Sequence, residues 1–210
     1  MNITAIKQQV KNPERVSVFV EGKYSFSLSL DELLAERLKQ GQEVDELGIK
    51  RLKKISADGK LRMRALAWIT SRPHSTREFT DYLRRKKVEP EQVESLIVDF
   101  TGRGYLDDEY FAKWFAEGRR NKSKSTRAIT AELRSKGISP VTIQNIVSED
   151  EKSLDKAALK VILNKLSKRP RYQDQEKLVR YLLSKGFNYG DIKEQLADDS
   201  ALPPEPELQS

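Results

Sequence analysis

The chain has 210 residues and a formal net charge of +7, with 34% charged residues against 37% hydrophobic ones. That charged share lies above the roughly 25% of ordinary domains and fits a thin or segmented core better than one thick core. No cysteine and a single histidine exclude disulfide scaffolds, thiolate metal sites, cysteine nucleophiles and histidine pairs.

No run approaches the roughly 18 apolar residues of a membrane helix. The N-terminus lacks the apolar stretch of a secretory signal, so a cytoplasmic protein is expected. The last thirteen residues carry four acids (Asp198, Asp199, Glu205 and Glu207) and no base, leaving 39 bases against 28 acids before them. A body of +11 suits a polyanionic partner.

Along the chain, Val16, Val18 and Val20 recur at every second position, as do Tyr24, Phe26, Leu28 and Leu30, on either side of Glu21-Gly22-Lys23. Period-two alternation around a glycine turn predicts a β-hairpin, and Ile3 to Val10 can add a third strand. So few strands need helices to cover their apolar face. From Asp31 the period changes. Asp31 can cap a helix carrying Leu33, Leu34 and Leu38 that Gly41 ends, and a second helix runs over about 45–55. Ala57-Asp58-Gly59 reads as a break, with a domain boundary near residues 58–60.

The remainder repeats itself. Ser75-Thr-Arg-Glu-Phe-Thr-Asp-Tyr-Leu83 returns as Ser125-Thr-Arg-Ala-Ile-Thr-Ala-Glu-Leu133, and Leu133-Arg-Ser-Lys-Gly-Ile138 returns as Leu182-Leu-Ser-Lys-Gly-Phe187. Val93, Ile143 and Ile192 stand ten residues beyond the respective leucines, and Ile97, Val147 and Leu196 stand fourteen beyond. A common register in three places, 50 and 49 residues apart, is an internal repeat.

Ser75, Ser125 and Asp174 suit N-caps, and Ser75 with Glu78 forms a capping box. Gly137 and Gly186 suit a left-handed helix end, where the first repeat has Lys87 at a cost of about 1 kcal/mol. Further helices are expected over 62–71, 109–120 and 154–167 before each cap, and over 91–100, 140–147 and 189–196 after it. The fold expected is mainly α: tandem three-helix repeats forming an elongated curved body, with a small N-terminal β-hairpin/helix extension. Its parts are the extension at 1–58, repeats at 59–107, 108–150 and 151–198, and an acidic, proline-rich, disordered tail at 199–210.

Chemistry-bearing motifs are scarce. There is no phosphate loop, dinucleotide fingerprint, nucleophile elbow or zinc-protease motif. Asp107-Asp108-Glu109 invites a magnesium reading, but it opens a helix, where first-turn acids favour the dipole. His74 is placed in a surface loop, and Trp68 and Trp114 in the core. No catalytic residue, metal or cofactor is expected.

The basic runs are the candidates. Arg119, Arg120, Lys122, Lys124 and Arg127 hold five cations in nine residues without an acid. Lys168, Arg169 and Arg171 stand at the corresponding loop of the third repeat. Arg84-Arg-Lys-Lys87 ends a helix, where some charge satisfies the dipole. Two equivalent basic loops make a strip that would contact phosphates without reading bases.

The ordered set Arg72-Pro-His-Ser75, Gly104-Tyr-Leu-Asp-Asp108, Phe111-Ala112 and Leu133-Arg-Ser-Lys-Gly137 resembles the RecX family, bacterial regulators of the RecA recombinase, over about residues 65–196. Leu30-Asp-Glu32 and Lys39-Gln-Gly-Gln-Glu43 are similar to the extension of its longer members; Lys87 in place of glycine is the main departure. The resemblance implies a non-enzymatic inhibitor that binds along the RecA–DNA filament as a monomer. Such a protein lowers the filament's ATPase, strand-exchange and co-protease activities in DNA repair, recombination and the SOS response. The eight basic-loop residues would then meet DNA or an acidic surface within that filament. The rivals are a sequence-specific helix-turn-helix regulator and an adaptor that binds only protein.

Overall fold

The computed structural model describes residues 1–147, 151–166 and 168–199. All but the first residue of the expected 199–210 tail therefore lies outside the described residues, as does Ser167. The chain divides into two compact units, Met1–Ser71 and Arg72–Ser210.

In the first unit, β1 (Ile3–Gln9), β2 (Asn12–Val20) and β3 (Lys23–Ser29) form an antiparallel sheet in that order. Val18 pairs with Ile6 and Phe26, and Val16 with Leu28, so the alternation read from the sequence puts one apolar face inward. Glu21 and Gly22 both take positive φ, 47° and 76°, as a two-residue turn between right-twisted strands requires.

Helix α1 (Leu30–Ala35) is capped by Ser29, not Asp31, because β3 passes into the helix without a linker. The Ser29 hydroxyl accepts from the Glu32 amide at 3.1 Å, and the Glu32 carboxylate accepts from the Ser29 amide at 2.7 Å. The helix stops before Gly41, with Arg37 left-handed at φ 48°.

Helix α2 (Glu46–Ile69) starts on an Asp45 cap and runs unbroken through Ala57-Asp58-Gly59, where the sequence suggested an interruption. A Cβ on Gly59 would lie 1.8 Å from Glu32 Oε1, so the glycine makes room for α1's capping box instead of breaking α2. Ile49 and Leu52 of α2 share a core with Ile3, Val16, Val18, Val20, Phe26, Leu28 and Leu38. The Ser27 carbonyl accepts from Ser56 Oγ at 2.6 Å and from Arg15 Nη2 at 2.8 Å. These bonds satisfy the polar groups buried where β2, β3 and α2 meet.

The second unit contains α3 (Thr76–Arg85), α4 (Pro90–Gly102), α5 (Asp108–Arg120), α6 (Thr126–Ser135), α7 (Pro140–Ile146) and α8 (Glu151–Leu166). A short 3-10 helix, Pro170–Tyr172, then leads into α9 (Gln175–Ser184) and α10 (Tyr189–Asp199). The expected first helix of the first repeat is the C-terminal part of α2. Ser75, Ser125 and Asp174 cap α3, α6 and α9 as the repeat register predicts, and Leu83, Leu133 and Leu182 are fully buried.

Each repeat has its own small core. Phe79 and Phe100 pack at 5.4 Å in the first. Phe111, Phe115, Ile129, Leu133 and Ile143 cluster in the second, and Leu159, Leu163, Leu178, Leu182 and Ile192 in the third. The chain is thus mostly helical, with a small three-stranded sheet at its N-terminus and a core built in segments.

Lys87, Gly137 and Gly186 all adopt left-handed φ, at 56°, 81° and 95°. The two glycines meet a second demand. A Cβ on Gly137 would sit 2.8 Å from Arg77 Cβ, and one on Gly186 2.6 Å from Ala128 Cβ. Lys87 is exposed. Lys87→Gly should therefore raise stability by about 1 kcal/mol, whereas Gly137→Ala should lower it by more than the about 1–2 kcal/mol of a left-handed Cβ. Denaturant midpoints of the full chain measure both, and equal effects would contradict the close-approach argument.

Candidate nucleic-acid interface

The repeats are joined helix end to helix end. Ser75 Oγ accepts from the Glu78 amide at 3.1 Å while its hydroxyl donates to the Lys136 carbonyl, at the end of α6, at 2.8 Å. One repeat later the Ser125 amide donates to the Lys185 carbonyl, at the end of α9, at 3.0 Å. Carboxylates from the following repeat complete both joints: Asp108 accepts from the Thr76 amide, and Asp155 from the Thr126 amide, each at 2.8 Å. Asp107 instead caps its own helix, accepting from the Glu109 and Tyr110 amides at 2.9 Å. The paired aspartates of Gly104–Asp108 thus serve two different helix N-termini, the capping role that outweighed a metal site in the sequence.

Glu78 gathers charge at the first joint. Its carboxylate binds Lys136 Nζ at 2.6 Å and Arg72 Nη1 at 3.1 Å, with His74 Nδ1 at 3.4 Å. Burial pushes the Glu78 carboxyl up, but hydrogen bonds from Lys136 and Arg72 outweigh it and hold the group below its ordinary range. His74 is only 4% exposed, not in a surface loop, because the Arg72-Pro-His turn folds under the start of α3. A depressed carboxylate stabilises the fold fully above its unfolded value near 4.5 and loses that contribution as pH falls through the folded value. Glu78→Gln should cost about 1–3 kcal/mol at pH 7 and flatten the loss of stability below pH ~4.5. Denaturation midpoints from pH 3 to 7 test this, and an unchanged pH profile in the variant would contradict it.

The eight basic residues read from the sequence separate into two groups. At the end of α5, Arg119 Nε binds Glu132 of α6 at 2.5 Å and its guanidinium lies 4.4 Å over the Phe115 ring. Arg120 Nη2 donates to the Ile146 carbonyl of α7 at 3.3 Å. Lys124 Nζ donates to the Ser184 carbonyl at 3.4 Å, and the Lys122 carbonyl accepts from Lys185 Nζ at 3.3 Å. Cations at the carbonyl end of α9 oppose its dipole, so this loop clamps the second joint.

Arg127, Lys168 and Arg169 are exposed and pair with no described carboxylate. The Lys122 side chain is exposed as well, and Arg171 is exposed with its guanidinium 5.9 Å from the Tyr172 ring. Arg127 lies in the first turn of α6, where the helix dipole disfavours a cation.

The two basic loops flank α9. Lys122 and Lys124 meet its C-terminal end, and Lys168–Arg171 lead through the 3-10 helix to its N-terminal cap. Ten helical residues separate them by about 15 Å. Trp114, expected in the core, is 40% exposed on α5 beside Arg72 at 5.9 Å, one turn from exposed Tyr110. The joint residues Asp108, Thr126 and Asp155 escaped the sequence reading, although the recurrence of Ser-Thr-Arg at 75 and 125 was their available signal.

No helix among the described residues is long and apolar enough to cross a membrane. Residues 1–45 match the family model for the regulatory protein RecX N-terminal domain, and residues 107–145 that for the RecX second three-helix domain. The regulatory protein RecX of Listeria monocytogenes is 29% identical over 89% of this chain and 71% of its own length. That of Bacillus licheniformis is 31% identical over 93% and 76%. A crystal structure of a regulatory protein RecX shares the fold with a TM-score of 0.68 at 24% identity, covering 92% of this chain and 98% of that one. With both ends of the repeat register, the N-terminal sheet and these relatives in agreement, the chain belongs to the RecX family of regulatory proteins.

Proposed function

We propose that this protein is a non-enzymatic inhibitor of RecA that acts in the cytoplasm as a monomer. It binds along the RecA–DNA filament and lowers its ATPase, strand-exchange and co-protease activities. Family membership supports the regulatory part. The observation that carries the contact is the pair of basic loops held at opposite ends of α9, with Arg127, Lys168 and Arg169 exposed and unpaired among the described residues. Fixed cations without base-reading partners suit phosphate contact, which positions a protein on nucleic acid but carries no sequence information.

Arg119 is a poor probe of this contact, since Arg119→Glu would face Glu132 and destabilise the second repeat. The triple variant Arg127→Glu/Lys168→Glu/Arg169→Glu leaves the joints intact. Titrated into RecA hydrolysing ATP on single-stranded DNA, the parent protein should inhibit and the triple variant should need at least about tenfold more protein. Their unfolding midpoints should agree. Inhibition near one protein per RecA supports groove occupation, and inhibition far below it supports filament capping. No inhibition by the folded parent would overturn the RecA reading, and equal inhibition by the variant would remove Arg127 and the 168–172 loop from the contact.

A further inference from the structure

The first unit concentrates its positive charge on one helix. Helix α2 carries seven Lys and Arg against Glu46 and Asp58, whereas the remainder of residues 1–71 carries six cations against seven carboxylates. Its inner side is anchored: Ile49, Leu52 and Ser56 are buried, and Ser56 is bonded to Ser27 of β3. At 3.6 residues per turn, Lys50, Lys53, Lys54, Ala57 and Arg64 fall together on the outward side, spanning about 21 Å.

Lys50, Lys53, Lys54 and Arg64 are exposed and pair with no described carboxylate. That holds although Glu46 stands one turn before Lys50 and Asp58 one turn after Lys54. The neighbouring Arg51 differs, being bound through both terminal nitrogens to Glu36 at 2.9 and 2.5 Å. Like charges three and four residues apart repel on a helix surface, so the row lowers the stability of the isolated helix without a compensating partner in the described structure.

We propose that this face of α2 is a second nucleic-acid contact, gripping backbone phosphates through Lys50, Lys53, Lys54 and Arg64. Protein interfaces are built on buried aromatic or aliphatic anchors. Between Lys50 and Arg64 the row presents Ala57 and the half-buried Leu61, the exposed Leu47 stands before its N-terminal end, and the exposed Met63 falls on the opposite side of the helix. A rigid line of point charges with no fully exposed large apolar side chain between its ends matches a phosphate backbone. The contact is separate from the α9 loops and does not depend on the filament reading, because bare DNA is its probe.

The test uses the full chain and the variant Lys50→Gln/Lys53→Gln/Lys54→Gln/Arg64→Gln, with Lys53→Gln/Lys54→Gln as a milder companion. Binding to a fluorescent single-stranded oligonucleotide is followed by anisotropy across salt concentrations, with circular dichroism confirming the fold. The quadruple variant should bind at least about tenfold more weakly at low salt. Its slope of log affinity against log salt should fall by about 3, from roughly 0.7 per cation on single strands, and the double variant should lose about half of that. A duplex of the same length should show a fall nearer 4, at roughly 0.9 per cation, if the face also grips paired DNA. An unchanged slope on both DNAs overturns the proposal. Weaker binding to the RecA filament with unchanged binding to bare DNA also overturns it, because the face would then meet protein.

Discussion

The second unit depends on one recurring contact, the N-terminus of one helix set against the C-terminus of the next repeat's equivalent helix. Each end alone leaves backbone groups without partners. Bringing α3 to α6 and α6 to α9 lets the Ser75 hydroxyl and the Ser125 amide donate to the orphan carbonyls of Lys136 and Lys185, with opposed partial charges facing each other. The glycines at 137 and 186 are what permit the approach, since a Cβ at either would enter the neighbouring helix. The third repeat changes the chemistry of this contact. Asp174, an acceptor, stands where the serines stand, and its carboxylate is occupied by the Glu176 and Lys177 amides and by Lys177 Nζ.

The same contact sorts the basic residues. Helix C-termini attract cations, and in a protein with this much Lys and Arg a large share is drawn into holding joints. Arg119, Arg120, Lys124 and Lys136 reach carboxylates or carbonyls of other helices, and Lys185 reaches a carbonyl of the loop after α5. Charge available to a partner is what remains on exposed surfaces, in the third-repeat loop, at Arg127 and along α2. Exposure and pairing separate the two groups, whereas local charge density does not.

Much of the fold was legible because its periods are strong. Alternation gave the strands, and the leucines at 83, 133 and 182 gave the repeat and its caps. The misreadings were local signals with a tertiary cause. Gly59 resembles a breaker until Glu32 is seen beside it, and Ser29 is hidden as a cap because it also ends β3. His74 and Trp114 were misplaced because flanking residues do not reveal which side of a turn or helix a neighbour covers. In the basic loops, residue types marked the region correctly. The partners of Arg119 and Arg120 lie 13 and 26 residues away, beyond what one stretch of sequence can show.

Anchoring gives the remaining cations their value. A mobile lysine loses side-chain freedom when it meets a phosphate, and that loss reduces affinity. The loop at 121–125 is clamped to α9 through Lys122 and Lys124, and the loop at 168–172 runs directly into the α9 cap, so one helix length of about 15 Å sets their separation. On α2, the Ser56–Ser27 bond and the buried Ile49 and Leu52 fix the helix while Lys50, Lys53, Lys54 and Arg64 face water. In both places the backbone beneath the charge is ordered before any partner arrives. The cost of ordering it is met in folding, and binding draws chiefly on electrostatics and counterion release, which makes it sensitive to salt and indifferent to base sequence.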